Sequence, residues 1–385
     1  MLECESLNHV LDGGEITRDE AYEIFNIAKK DPTELYSTAT KLRNKHKQKT
    51  VTFSKKAFFN LVNLCRDVCD YCTYKSEPNQ QKTSMMSKEN VRDLAKLAKK
   101  YRCVEALFVT GERPEQKYQE ARDWLKKNGF SSTAEYLAHA SEIALSEGLF
   151  PHTNAGNLTK SEMSDLKKTN VSIGLMLENS SERLTKENMP HHLAPSKNPR
   201  ARIQVLENAG ELKIPTTTGL LVGIGETPDE IIDSIFEIKR LDRHYGHIQE
   251  IILQNFQPKQ DTKMKNFSSA EENYFKTIVA LTRTIMPQMN IQIPPNLSPG
   301  SYQEFLQVGI NDWGGISPLT PDYVNPEFSW PRIEYVAKNT ENAGYDLKAR
   351  FPVYPEFMRF VSPDLYNKMS EIMDVDGMVK EECWK

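Results

Sequence analysis

The chain has 385 residues, of which 38% are hydrophobic and 26% charged with both signs interspersed, the composition of a folded globular protein rather than a disordered one. Its formal net charge of -4 gives no broad positive field, which excludes nucleic acid as the expected partner, because phosphate binding rests on counterion release. No apolar run reaches the ~20 residues that span a bilayer, and Met1 to Asp12 lacks an apolar signal region behind basic residues, so the expectation is a cytoplasmic protein with no membrane partner.

Residues 1–50 read as a helical extension. Thr17 and Glu20 make a capping-box pattern ahead of the apolar spacing of Ala21, Ile24, Phe25 and Ala28, and the basic run from Lys41 to Lys49 reads as a solvated helix end. From Phe58 onward, short apolar runs alternate with helical stretches. Several of these open on Ser or Thr with Glu three residues later: Ser132 and Glu135, Thr159 and Glu162, Thr227 and Glu230, Ser268 and Glu271, Ser301 and Glu304. Strands are predicted near Phe58 to Leu64, Val104 to Val109, Leu149 to Thr153, Val171 to Leu177, Ile214 to Val222, Ile248 to Gln254, Asn290 to Ile293 and Val308 to Ile316. Eight strands with crossover helices predict an α/β fold, a (β/α)8 TIM-type barrel over residues 51–345, followed by a helical C-terminal extension over 346–385. In such a barrel, chemistry collects at the C-terminal ends of the strands.

Of the six cysteines, Cys65, Cys69 and Cys72 fall within eight residues where the first predicted strand runs into a loop. A reducing compartment disfavours a disulfide framework, so clustered cysteines suggest a metal. A 4Fe-4S cubane normally takes four cysteine ligands; three would leave one iron open for catalysis. A structural zinc site would want four ligands, and a redox pair would leave a spare cysteine. Cys4, Cys103 and Cys383 are scattered and read as buried free thiols or bystanders.

The spacing of Cys65, Cys69 and Cys72, with Tyr71 directly before the last, resembles the signature of the radical S-adenosylmethionine (SAM) superfamily. That resemblance implies a barrel of the radical SAM kind, one 4Fe-4S cluster on the three cysteines, SAM chelated at the open iron, and an electron donor such as a ferredoxin or flavodoxin. It also implies contacts to SAM. Thr110-Gly111-Glu112 resembles the superfamily's Gly-Gly-Glu segment for the methionine amine, the alternative being a turn into the helix start at Arg113-Pro114. Glu178, at the end of the fourth predicted strand, would meet the ribose hydroxyls, or be an exposed helix charge. The run from Gly219 to Glu226 is similar to the Gly-x-Ile-x-Gly-x-x-Glu segment near adenine, bringing Gly223 and Glu226 forward; the alternative is strand-to-helix punctuation. Arg183 would contact the cofactor carboxylate or pair with Glu182 or Glu187, and Tyr71 would join the SAM site.

A closer resemblance runs from Leu64 to Tyr74, Glu105 to Phe108, Gly174 to Leu184, Pro190 to Lys197, Gln254 to Phe256 and Asp312 to Asp322. These segments look like the 7,8-didemethyl-8-hydroxy-5-deazariboflavin synthase family, the CofG subunit of FO synthase. The resemblance implies that the deazaflavin FO is formed from an adduct of a hydroxybenzyl group and a ribitylated uracil, which a second radical enzyme, CofH, supplies as a functional partner. Substrate candidates at predicted strand ends are Asn154, Asn255 and Asn296, with His191, His192 and Trp313 nearby; Asp312 and His152 are candidates for acid or base. Barrel-rim packing is the other reading of Trp313, and a helix-entry loop that of the histidine pair. The remaining alternatives are a CofH-like enzyme and a noncatalytic iron–sulfur or zinc protein.

Overall fold

The computed structural model describes residues 5–385, so Cys4 lies outside the described residues. Nine strands form one sheet: β1 (Thr50–Val62), β2 (Glu105–Thr110), β3 (Phe150–Asn154), β4 (Ser172–Gly174), β5 (Thr216–Val222), β6 (Ile248–Asn255), β7 (Ile291–Gln292), β8 (Asp312–Ile316) and β9 (Asp346–Ala349). Neighbours run β2-β3-β4-β5-β6-β7-β8-β1-β9, and β1 also pairs with β2, which closes β1 to β8 into a parallel barrel. Helices wrap the outside because each crossover between parallel strands must cover an apolar strand face. Phe59, Phe108 and Ile251 are among the strand residues fully buried in the resulting core.

Four of the expected helix starts form: Thr17, Ser132, Thr159 and Thr227 each accept a hydrogen bond from the backbone N–H three residues on. Two do not. Glu271 itself caps the helix Glu272–Ile285, and Ser301 donates its hydroxyl to Glu272 at 2.8 Å ahead of the 3-10 helix Tyr302–Val308. That 3-10 helix takes up Val308 and ends on Gly309 in left-handed backbone, φ 107°, so the last barrel strand begins only at Asp312. The basic run is likewise not fully solvated. Arg43 is buried and donates to the carbonyls of Ile310 at 3.3 Å and Thr50 at 2.7 Å, tying the N-terminal helix Thr33–Lys47 to the barrel. Among the described residues no helix is long and apolar enough to cross a membrane.

The segment after residue 345 opens on a strand, where a purely helical extension was expected. β9 pairs in parallel with Thr50 to Phe53, the first part of β1, while Lys56 to Val62 pairs with β2. The strand carries Arg350 into the floor of the barrel, where it is 2% exposed. Its Nε reaches Asp312 Oδ2 at 2.7 Å and its Nη2 reaches Glu250 Oε2 at 3.0 Å. Burial opposes the charge of Arg350, but the two carboxylates hold its guanidinium well above the ordinary value. Burial also pushes Glu250 upward. Removing one member of a buried ionic cluster leaves uncompensated charge and costs about 3–5 kcal/mol. Arg350→Met is therefore expected to lose roughly that much stability in urea unfolding. The deficit should shrink as pH falls, because a buried carboxyl without its countercharge takes up a proton. An unchanged urea midpoint at neutral pH would contradict this role.

Candidate active site

β1 delivers the chain to the C-terminal mouth of the barrel, where the loop that follows carries Cys65, Cys69 and Cys72. Backbone bonds pin this loop on two sides. Arg66 N–H donates to the Glu112 carbonyl at 2.9 Å, and Val68 and Asp70 donate to the carbonyls of Leu193 and Pro190 at 2.9 and 3.0 Å. Gly111 makes the first contact possible, since a Cβ there would lie 2.0 Å from the Leu64 carbonyl oxygen and 2.8 Å from Cys65 Cβ. The next residue, Glu112, donates its backbone N–H to Cys65 Sγ at 3.2 Å.

Burial pushes the Cys65 thiol up to about 11 and the Cys69 thiol up as well. Thiolates in such a place need a strongly cationic partner. Among the described residues no three His, Cys, Asp or Glu side chains are grouped as ligands of one metal ion, and a cubane asks for less convergence because each thiolate binds its own iron. The other described cysteines lie elsewhere: Cys103 is buried just ahead of β2, and Cys383 sits in the C-terminal helix Glu381–Trp384. Three neighbouring thiols, two of them shielded from solvent, with no fourth thiol beside them among the described residues, suit a cluster with one open iron.

Beneath the loop a cavity of about 300 Å³ runs down into the barrel. Tyr71, Thr110, Gly111, Glu112 and Glu178 line its upper part with the three cysteines. Glu112 accepts the Asn157 N–H at 2.9 Å through Oε2, and Lys197 pairs with Glu178 through Oε1. The other oxygen of each carboxylate, Glu112 Oε1 and Glu178 Oε2, is buried with no hydrogen-bond partner, although the Arg66 and Arg113 guanidinium groups stand 3.7 and 4.0 Å from Glu112 Oε1. Two unsatisfied carboxylate oxygens beside one cavity are costly unless a ligand supplies donors, and the ammonium and ribose hydroxyls of SAM are donors of the required kind. Glu178, four residues beyond β4, bridges Leu220 of β5 in parallel and has a left-handed backbone, φ 64°.

Arg183, Gly223 and Glu226 are not brought to the cavity. The Arg183 guanidinium holds Glu230 at 2.8 and 2.6 Å and the Gly225 carbonyl at 2.7 Å, rather than Glu182 or Glu187. Glu226 accepts from the backbone N–H groups of Gly223 and Ile224 at 2.6 and 2.8 Å, a bond set that shapes its own loop. His191 is buried against Tyr71, whose hydroxyl lies 3.0 Å from its Nε2, and burial holds this imidazole down at about 2. His192 is exposed.

Lower in the barrel, His152 and Asn154 line the cavity, and burial holds His152 down at about 4. The amide N–H groups of Asn255 and Asn296 serve local structure: the first donates to the Leu297 carbonyl at 3.1 Å, the second to Asp322 at 3.1 Å and to the Phe328 carbonyl at 3.2 Å, while Asn296 Oδ1 is buried without a hydrogen-bond partner. Asp312, expected at a C-terminal strand end, is the first residue of β8 and lies at the opposite end of the barrel. There Arg350, Thr52 and the Gly314 N–H occupy both its oxygens. Trp313, its neighbour, points the other way because side chains alternate along a strand. It packs edge-on against Tyr302 at 5.2 Å and donates to Thr340 at 3.0 Å.

Sequence reasoning missed the polar wall of the cavity. Lys56 pairs with Glu105 at 2.8 Å, and although burial works against it, Lys56 holds the Glu105 carboxyl below the ordinary carboxylate range. Gln292 also faces the cavity, and the stacked pair of Phe58 and Trp330, 5.4 Å apart, gives it an aromatic side. The signal was available: charged residues inside strands that are otherwise buried. A second cavity of about 560 Å³ opens between the N-terminal helices and the other end of the barrel. Its cations Lys47, Lys239 and Arg243 are matched by Glu356 and Glu15, so nothing there calls for a ligand.

Known proteins agree with this geometry. The radical SAM superfamily matches residues 59–238. Over 310 residues the chain is 45% identical to the 7,8-didemethyl-8-hydroxy-5-deazariboflavin synthase of Methanopyrus kandleri, which covers 80% of this chain and 93% of that one. It is 41% identical over 345 residues to the FO synthase of Streptomyces coelicolor, a match spanning 86% of this chain and 40% of that longer protein. In fold it is similar to the FeFe-hydrogenase maturase HydG from Carboxydothermus hydrogenoformans, with a TM-score of 0.72 at 21% identity over 94% of this chain and 87% of that one. Identity of this extent, on a barrel whose mouth presents three cysteines to a polar cavity, makes the chain a member of the radical SAM superfamily and, within it, of the 7,8-didemethyl-8-hydroxy-5-deazariboflavin synthase family.

Proposed function

We propose that the chain forms the deazaflavin FO, 7,8-didemethyl-8-hydroxy-5-deazariboflavin, in coenzyme F(420) biosynthesis. The substrate is 5-amino-5-(4-hydroxybenzyl)-6-(D-ribitylimino)-5,6-dihydrouracil, and ammonia, methionine and 5′-deoxyadenosine leave. The observation that carries this reading is the vertical order of the cavity: three cysteines at the mouth, two carboxylate oxygens without a hydrogen bond just inside, and a polar chamber beneath. A 4Fe-4S cluster on Cys65, Cys69 and Cys72 would supply the electron that cleaves SAM, and with it the radical that starts the reaction.

The residues of the chain do the rest. Thr110, Gly111 and Glu112 receive the methionine end of SAM, and Glu178 accepts from its ribose hydroxyls while Lys197 holds the carboxylate in place. Tyr71, fixed by His191, flanks the same site; Arg183, Gly223 and Glu226 brace the loop beside it. In the chamber, Lys56 has two ammonium hydrogens beyond the one facing Glu105, and with Asn154 and Gln292 it meets the uracil carbonyls and ribityl hydroxyls. The Phe58 and Trp330 pair faces the hydroxybenzyl ring, where the partnerless indole Nε1–H of Trp330 can donate. The adduct is supplied by the CofH activity, which makes CofH a functional partner of this chain. A ferredoxin or flavodoxin of the cytoplasm is the electron donor.

Two measurements test this reading. In an anaerobic assay with reconstituted cluster, reductant, SAM and the CofH product, 5′-deoxyadenosine and fluorescent FO should appear together, and Cys69→Ala should lose the cluster's visible absorption and both products. Absence of FO from the wild-type protein with an intact cluster would sink the assignment. Glu178→Gln keeps the side-chain volume but weakens an acceptor for which a charged hydrogen bond is worth about 1.5–3 kcal/mol. It should raise the KM for SAM by about tenfold or more with cluster content unchanged; an unchanged KM would remove Glu178 from the SAM site.

A further inference from the structure

His152 stands in β3 with its ring in the cavity wall. Its Nδ1 lies 2.6 Å from Ser172 Oγ, and Ser172 in turn donates its hydroxyl to the backbone carbonyl of Pro352. A carbonyl has no hydrogen to give, and a hydroxyl has one. Since the hydrogen of Ser172 is committed to Pro352, Oγ must accept from His152, and Nδ1 must carry the imidazole hydrogen. Nε2 is then left with a lone pair. Nothing covers it: a Cβ on Gly174 would lie 2.8 Å from Nε2, so the missing side chain at that position opens the nitrogen to the cavity. Among the described residues Nε2 has no hydrogen-bond partner.

The carboxylates nearby are already engaged. Glu105 holds Lys56 and Ser54. Glu250 holds Thr217, Arg350 and Tyr354, and Asp312 holds Arg350 and Thr52. Of the titratable groups at this depth, His152 alone presents a free basic atom.

We propose that His152 is the base of ring closure, acting through Nε2, and that Ser172 is a positioning residue that sets its tautomer through the Pro352 carbonyl. This rests on the FO reading. Net, SAM and the adduct give FO, 5′-deoxyadenosine, methionine, ammonia and one proton. SAM is the two-electron oxidant: one substrate hydrogen atom leaves to the deoxyadenosyl group. Ring closure forms a bond between the ribityl-bearing nitrogen and the arene carbon ortho to the bridging carbon. The C–H bond at that arene carbon then breaks and its proton passes to His152 Nε2; the electron left over would go to the cluster, making good the one that SAM cleavage would take. The C–N bond to the amino group of the adduct breaks, and that group leaves as ammonia with one further substrate hydrogen taken as a proton.

The test pairs turnover with a direct reading of the ring. In the anaerobic assay His152→Gln should still form 5′-deoxyadenosine within about threefold of wild type, while FO per deoxyadenosine falls by about two orders of magnitude. Ser172→Ala should lower kcat for FO by roughly tenfold with the KM for the adduct unchanged. Nitrogen NMR of histidine-labelled holoenzyme, with His152 assigned by the signal lost in His152→Gln, should show hydrogen on Nδ1 in the wild type and a mixture of tautomers in Ser172→Ala. Hydrogen on Nε2 in the wild type would overturn the proposal without any variant having to fold, and so would FO formation by His152→Gln at the wild-type ratio. If the wild type makes deoxyadenosine but no FO, the FO reading fails and this proposal fails with it, whatever the tautomer.

Discussion

A guanidinium between two carboxylates at the floor of the barrel is the interaction on which the rest depends. Arg350 arrives from the C-terminal segment, yet its partners, Glu250 and Asp312, come from β6 and β8. One side chain thus locks the C-terminal segment to the barrel whose first strand, β1, pairs with β9. The ionic cluster contributes little net stability over an apolar plug, since three charges must be desolvated to form it. What it does supply is register. The residues after Arg350 then fall where Pro352 faces both Ser172 and Gln249, and the floor becomes part of the chamber wall rather than a lid beside it.

The opposite end is organised by a backbone contact. Because Gly111 has no side chain, the end of β2 can approach the cysteine loop closely enough for Glu112 to bond Cys65 through its N–H and still aim its carboxylate into the cavity. One glycine therefore places a cysteine of the mouth and a cavity-facing acid at fixed separation. Floor and mouth share a logic: a local constraint on one element fixes two functional groups at once, the kind of preorganisation that spares a reaction the cost of arranging its dipoles.

How much of this was legible in the sequence follows from what each signal depends on. Capping boxes at Thr17, Thr159 and Thr227 were readable because helix starts are set within four residues, and the cysteine triad was readable because its spacing is itself local. Strand limits were harder. Ser54, Lys55 and Lys56 made the first half of β1 look like surface, although Ser54 and Lys56 point into a polar interior. The short, charged β9 carried no apolar pattern. Asp312 and Trp313 show the sharper failure: the run from Val308 opens on the end of a 3-10 helix and a glycine turn, and a strand that starts later places Asp312 at the floor instead of the mouth. The Lys56–Glu105 pair and Arg350 could not be placed at all without register, since they meet only when strands far apart in sequence close the barrel.

A chamber built for a substrate rich in hydroxyls and amides faces a conflict. Polar walls recognise such a molecule, but uncompensated charge in a desolvated site is expensive and would compete for the substrate's own hydrogen bonds. The structure resolves this by pairing its charges with each other: Lys56 with Glu105, and Arg350 with Asp312 and Glu250. Paired ions still present directional donors to the cavity, as Lys56 does with its spare ammonium hydrogens, while the carboxylates are withdrawn from proton chemistry. Basicity is thereby confined to a neutral imidazole. A neutral base costs less to bury than an anionic one, and its direction is set by a neighbouring hydroxyl rather than by a countercharge that the substrate could disturb.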